Sequence, residues 1–134
     1  RWVLLDAARR RTRLLEDAVR RLGWEARVTV VHGRAEDRGR DPAWRGRFDL
    51  VTARLFGPPA AAAECGAPFL RVGGVLAVTE PPAPDPERWP ADGLATLGLD
   101  ALAPLPGLQR LRATAPPPDR FPRKAGVPVR RPLF

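Results

Sequence analysis

Trp2–Gly33 reads WVLLDAARRRTRLLEDAVRRLGWEARVTVVHG. The apolar run WVLLDA ends on Asp6, the pattern of a short strand buried on both faces. Helical spacing follows: Ala8, Thr12 and Leu15, then Ala18 or Val19, then Leu22 recur at steps of three and four. Arg9, Arg10, Arg13, Asp17, Arg20 and Arg21 occupy the other faces, and Gly23 is a natural helix stop. RVTVVHG (residues 27–33) then supplies β-branched valines and a closing glycine, which reads as a second strand. A strand, a helix and a second strand within so few residues predict a parallel pair joined by a crossover helix.

The remaining sequence continues the alternation. RAEDRGRDPAWRGR (residues 34–47) is polar and predicts a short helix or turns, and FDLVTARLF (residues 48–56) a third buried strand. PPAAAAECGAPFL (residues 58–70) predicts a helix opened by proline and shortened by Gly66 and Pro68. RVGG (residues 71–74) reads as a turn into VLAVTE (residues 75–80), a fourth strand. Pro81–Pro90 is a proline-rich loop, ADGLATLGL (residues 91–99) a weak short helix, and LQRLRATA (residues 108–115) a last strand. The whole predicts an α/β, doubly wound sheet over residues 1–115, followed by a basic, proline-rich tail at residues 116–134. Ligands of such sheets sit at the carboxyl ends of the strands, where Asp6, HGRAED, TAR and TE all fall.

Composition removes several chemistries. The 134 residues carry 23 Lys+Arg against 15 Asp+Glu, a formal charge of +8, and every cation but Lys124 is arginine. Guanidinium forks suit bidentate contacts to phosphate, so an anionic partner such as nucleic acid is expected. A coding sequence rich in G and C would also favour Arg and Ala, and Ile, Asn, Tyr, Met and Ser are absent. One cysteine, Cys65, precludes an internal disulfide or a cysteine metal cluster, and His32 alone precludes a multi-histidine zinc site. Without serine there is no serine nucleophile. No apolar run approaches a membrane span and no signal peptide opens the sequence, so the expected compartment is the cytoplasm.

Asp6, ending a strand, can accept hydrogen bonds from two ribose hydroxyls or can cap a helix. Glu36 can hold an adenine edge through its carboxylate or its backbone, or stand as a solvated helix-start acid. Arg54 closes a buried strand, where a cation is costly unless an anion meets it. His32 reads as a loop residue and Cys65 as a small helix filler. With no carboxylate pair and no nucleophile–base pair, the chemistry that remains needs little acid–base help. Methyl transfer from a sulfonium to a ring nitrogen is of that kind.

VLLDAARRRTRLLEDAVRRLG, VVHGRAED, FDLVTARLFGPP, PFLRVGGVLAV and RFPRKAGVPVRRPL occur in this order. Together they resemble the bacterial small-subunit ribosomal RNA guanine-N7 methyltransferases, the RsmG or GidB family. The resemblance implies a Rossmann-like class I methyltransferase sheet, S-adenosyl-L-methionine as cofactor, and 16S ribosomal RNA or a small-subunit precursor as substrate, with no metal and no membrane. By its motifs Ala35 and Glu36 would bind the adenosine part, Arg54 would be the cofactor-site arginine and Asp6 would face the ribose. Arg120, Arg123, Lys124, Arg130 and Arg131 of the tail would meet RNA phosphates. The family's first strand and its glycine-rich turn have no counterpart here, so the sheet is expected to be incomplete, with unpaired edges facing each other. Thr79-Glu80 stand where relatives carry Lys-Gly, which leaves room for a divergent methyltransferase with another substrate. A non-catalytic, arginine-rich RNA-binding remnant of the family is the other expectation.

Overall fold

A computed structural model describes the backbone of residues 1–134 and every side chain except that of Pro86. The opening stretch forms β1 (Trp2–Asp6), α1 (Arg9–Arg21) and β2 (Val28–His32), with β1 and β2 parallel in register from Trp2 opposite Val28 to Asp6 opposite His32. α2 (Ala35–Arg40) leads to β3 (Phe48–Ala53), and α3 (Pro59–Gly66) passes through a 3-10 turn at Ala67–Phe69 into β4 (Leu70–Thr79). α4 (Ala91–Ala95), β5 (Leu99–Ala101), β6 (Leu108–Ala113) and α5 (Val127–Arg130) complete the chain.

The strands fall into two sheets. β1 and β2 form one; β3, β4, β6 and β5 form the other in that order, β3–β4 parallel and β6 antiparallel to both of its neighbours. Each of β1 and β3 therefore has one unpaired edge. An open cavity of about 610 Å³ separates them, with Val3 and Leu5 on one side and Leu50, Val51 and Thr52 on the other. This explains why β1 and β3 are only partly buried where their apolar composition predicts burial on both faces.

The main core lies entirely in the larger sheet and its cover. Leu70, Leu76, Leu94, Leu97, Leu99, Leu111 and Phe121 meet there with Ala62, Ala63 and Ala67. α3 is buried on all sides, which a helix tolerates only when something covers its outer face as well. The tail does this. Its run of alanines keeps α3 thin, and a Cβ on Gly66 would stand 2.8 Å from Leu76 Cδ1, so the helix lies against β4 at glycine distance.

Three elements differ from the sequence expectation. β4 begins at Leu70 and runs through Gly73-Gly74, with a shift of register against β3 between Phe48 and Leu50, so RVGG is strand and not a turn. The segment expected as one short helix at residues 91–99 is α4 followed by a turn, and β5 starts at its end. The third strand stops at Ala53, leaving Arg54, Leu55 and Phe56 outside it.

Candidate functional site

The carboxyl ends of β1, β2, β3 and β4 carry Asp6, His32, Ala53 and Thr79, so the expected site residues share one edge. Asp6 Oδ1 accepts the Ala8 N–H at 2.6 Å, and Oδ2 accepts Arg11 Nε at 2.7 Å. Capping and the turn into α1 thus use one lone pair on each oxygen. The Arg11 guanidinium holds the Asp6 carboxyl below its ordinary range, and desolvation opposes this more weakly, so Asp6 is an acceptor at neutral pH. His32 Nε2 donates to the Ala7 carbonyl at 3.1 Å and steadies the same turn.

Ala35 and Glu36 form the first turn of α2, which has no side-chain cap. Their backbone N–H groups are therefore free of helical partners. The Glu36 carboxylate is buried and accepts the Gly126 N–H at 2.7 Å, so it holds the tail and is not a solvated helix-start acid. Arg54 is exposed and has no ion-pair partner among the described residues. The desolvation cost expected for a cation closing a buried strand does not arise, because β3 itself is half open.

The tail is bound along its length. Arg45 donates to the carbonyls of Gly39, Phe121 and Pro117, and Arg40 donates to that of Pro122 at 2.7 Å. Arg123 makes a bidentate pair with Glu64, whose carboxylate is 0% exposed, and its backbone N–H reaches the same group at 2.7 Å. Arg123 is consequently turned inward, away from the phosphate contact expected of it. A buried carboxylate without a cation is far costlier than an arginine withheld from solvent. Arg120, Lys124, Arg130 and Arg131 remain exposed, with Arg120 stacked over Phe121 at 4.8 Å. Within the tail, Val127–Arg130 is helical.

Glu80, at the end of β4, does not open into the site as a free charge. Its side chain is 4% exposed and accepts Arg88 Nε at 2.9 Å and Trp89 Nε1 at 3.2 Å. It ties the loop at residues 81–90 to the end of β4. Neither this brace nor the Glu64–Arg123 pair has a local sequence signal, since the latter joins residues 59 apart. Among the described residues no helix is long and apolar enough to cross a membrane, and no group of His, Cys, Asp and Glu could hold a metal ion.

A family model described as rRNA small subunit methyltransferase G (GidB) matches residues 1–80. The sequence is 38% identical over 143 aligned residues to the ribosomal RNA small subunit methyltransferase G of Leuconostoc citreum, covering 97% of this chain and 58% of that protein. The protein of the same name from Lactobacillus delbrueckii subsp. bulgaricus is 36% identical, with 97% and 59% covered. The chain thus spans under three fifths of these curated relatives. Among solved structures, a sarcosine dimethylglycine methyltransferase from Galdieria sulphuraria aligns with TM-score 0.60 and 18% identity, covering 75% of this chain and 46% of that one. The T. thermophilus 16S rRNA N2 G1207 methyltransferase, in complex with AdoMet and guanosine, aligns with TM-score 0.58 and 18% identity over 87% and 30%. The shared fold is the Rossmann-like sheet of class I methyltransferases.

Proposed function

The chain belongs to the GidB family, rRNA small subunit methyltransferase G, and from that premise we propose that it takes part in S-adenosylmethionine-dependent methylation of a guanine N7 in 16S ribosomal RNA. The observation that carries this is the shared carboxyl edge, on which Asp6, the start of α2 at Ala35-Glu36, and Arg54 stand at successive strand ends. S-adenosylmethionine brings a methyl group already activated as a sulfonium, and guanine N7 takes it with a lone pair, so no proton has to be removed.

The donor set fits such a cofactor. Asp6, ionised and with one lone pair left on each oxygen, suits a ribose diol. The free N–H groups of Ala35 and Glu36 suit the acceptor nitrogens of an adenine edge. Arg54 supplies an unpaired cation beside them. These groups orient and desolvate; none acts as acid or base. Arg120, Lys124, Arg130 and Arg131 extend the surface toward RNA phosphates, while Arg123 fixes the tail that presents them. Ribosome assembly is the setting of this reaction, so the cytoplasm is the compartment proposed.

The test is transfer of labelled methyl from S-adenosylmethionine to small ribosomal subunits that lack the modification, using the full-length protein. N7-methylguanosine is then located by borohydride reduction and aniline cleavage of the RNA. Label released by cleavage at one guanine supports the proposal. Label at another ring atom, or in no RNA at all, overturns the N7 assignment or the substrate respectively. Arg54→Ala should weaken cofactor affinity by roughly tenfold, the scale of one charge-assisted contact. Unchanged affinity would remove Arg54 from the cofactor site.

A further inference from the structure

The first turns of α1 carry charge that the helix itself disfavours. Arg9, Arg10, Arg11 and Arg13 stand at its amino end, with no acidic residue in the first turn and no side-chain cap. A helix amino terminus is the positive end of the backbone dipole, which favours acids there and opposes cations. Arg11 is accounted for by Asp6, whose Oδ2 accepts its Nε. Arg20 and Arg21 are accounted for as well, since they lie in the last turn, where the dipole favours cations, and Arg20 pairs with Asp17. Arg9, Arg10 and Arg13 have neither explanation. They are exposed and have no ion-pair partner among the described residues.

Their spacing makes them one cluster. Arg13 follows Arg9 by four residues and Arg10 by three, so it neighbours both on the helix surface, away from the buried Thr12 and Val19. Like charges at these spacings repel, which adds to the cost set by the dipole. An external anion would relieve both. The cluster also borders the carboxyl edge, because α1 starts just after Asp6 at the end of β1. The Gly33 N–H donates to the Asp6 carbonyl at 3.0 Å, which brings the loop of the exposed Arg34 against the same turn. Neighbouring guanidinium forks match successive phosphates of one RNA strand.

We propose that Arg9, Arg10 and Arg13 form a phosphate-binding surface for RNA at the amino end of α1, so that RNA is held by the smaller sheet as well as by the tail. This rests on the RNA reading above. Contacts of this kind position a backbone and read no base, so the affinity they supply depends on salt and not on sequence.

The experiment titrates two dye-labelled RNA hairpins of unrelated sequence with the 134-residue protein, by anisotropy, over a range of salt concentrations. The triple variant Arg9→Gln, Arg10→Gln, Arg13→Gln keeps a good helix former at each position. It should flatten the slope of log affinity against log salt by about 2 to 3, at about 0.7 to 0.9 per phosphate contact, and equally on both hairpins. At about 0.1 M salt this is a loss of roughly hundredfold or more, shrinking to nothing at about 1 M. The variant's urea midpoint should equal or exceed that of the wild type, because the dipole no longer opposes three cations. Arg20→Gln with Arg21→Gln is the control and should leave the slope unchanged. A triple-variant slope equal to the wild type's, an equal flattening in the control, or a lowered midpoint in the triple variant overturns the α1 surface and leaves the RNA reading standing. Binding of neither hairpin by the wild type at low salt overturns the RNA reading and this surface with it.

Discussion

At the residue scale, the Glu64 carboxylate decides how the last part of the chain is held. It is fully buried in α3, and its charge is met by the Arg123 guanidinium and backbone N–H. Glu64→Ala would remove the anion but leave Arg123 facing an apolar helix, so the loss exceeds that of a surface pair. Because Arg123 retains 27% exposure, the expected cost is about 3 kcal/mol, the lower end for breaking a buried pair. Urea unfolding measures it, and limited proteolysis should show cleavage after Arg120 or Lys124 in the variant before the sheet itself unfolds. Cys65, the next residue, gives a second readout. Burial, with Glu36 and Glu64 adding like charge, pushes its thiol well above the ordinary value of 9.0. The native thiol should resist alkylation at pH 8 and react fully in urea. The raised value also carries a sign. Above about pH 9 the unfolded chain gives up this proton while the folded chain keeps it, so stability falls as pH rises. Cys65→Ala should flatten that part of the stability profile; an unchanged slope between pH 8 and pH 10 would assign it to other groups.

At the element scale, the glycines between α4 and the tail separate conformation from contact. Gly98 has φ +68 and ends the turn before β5, where an added Cβ would stand 2.2 Å from the Ala115 carbonyl oxygen. Gly107, in the turn before β6, has nearly the same φ of +69 with nothing within 4 Å. Gly107→Ala should therefore cost about 1 kcal/mol, the left-handed penalty alone. Gly98→Ala should cost at least about 2 kcal/mol more, because backbone must move. Urea midpoints of the pair give the difference directly, and equal midpoints would mean that the bend at Ala115, beyond β6, yields freely. These turns also mark what the sequence could and could not disclose. The β1-α1-β2 unit was legible because its apolar spacing switches from strand to helix and back, and Asp6, Ala35, Glu36 and Arg54 were legible as strand-end or helix-start residues. β5 was not, since three residues, Leu99–Ala101, carry too short a pattern to announce a strand. Gly73-Gly74 resemble a turn and so conceal the first half of β4, although Gly74 is enclosed by the Arg71, Phe48 and Asp49 carbonyls and lies within the sheet. The inward turn of Arg123 depends on Glu64, far away in sequence, and the left-handed φ of +51 at Leu55 depends on where β3 ends. Both are properties of the folded backbone.

At the scale of the whole molecule, the two sheets do not share a core. Every residue of the main apolar cluster comes from the part of the chain beyond Ala61, and β1, α1 and β2 contribute none. Those first elements pack chiefly on one another, beside an open groove of about 500 Å³ bordered by Leu4, Leu15, Val19 and Val28. Side chains along that open groove, Leu22 and Trp24 among them, stay exposed, whereas Leu76, Leu94 and Leu111 of the larger sheet are fully buried. The unpaired edges of β1 and β3 leave backbone groups open to water along the 610 Å³ gap. Local stability follows buried contacts, so the smaller sheet should open at a lower free energy than the larger one. Native-state hydrogen exchange on the 134-residue protein measures this strand by strand. Amides of β1 and β2 should exchange through an opening at least about tenfold more frequent than amides of β4 and β6, a difference near 1.4 kcal/mol. A ligand that bridges Asp6 on the smaller sheet and Arg54 on the larger should narrow the gap, because it binds only when both edges are in place. Equal protection in the two sheets without ligand would mean that they open as one body, and the carboxyl edge would then be preformed without anything bound across it.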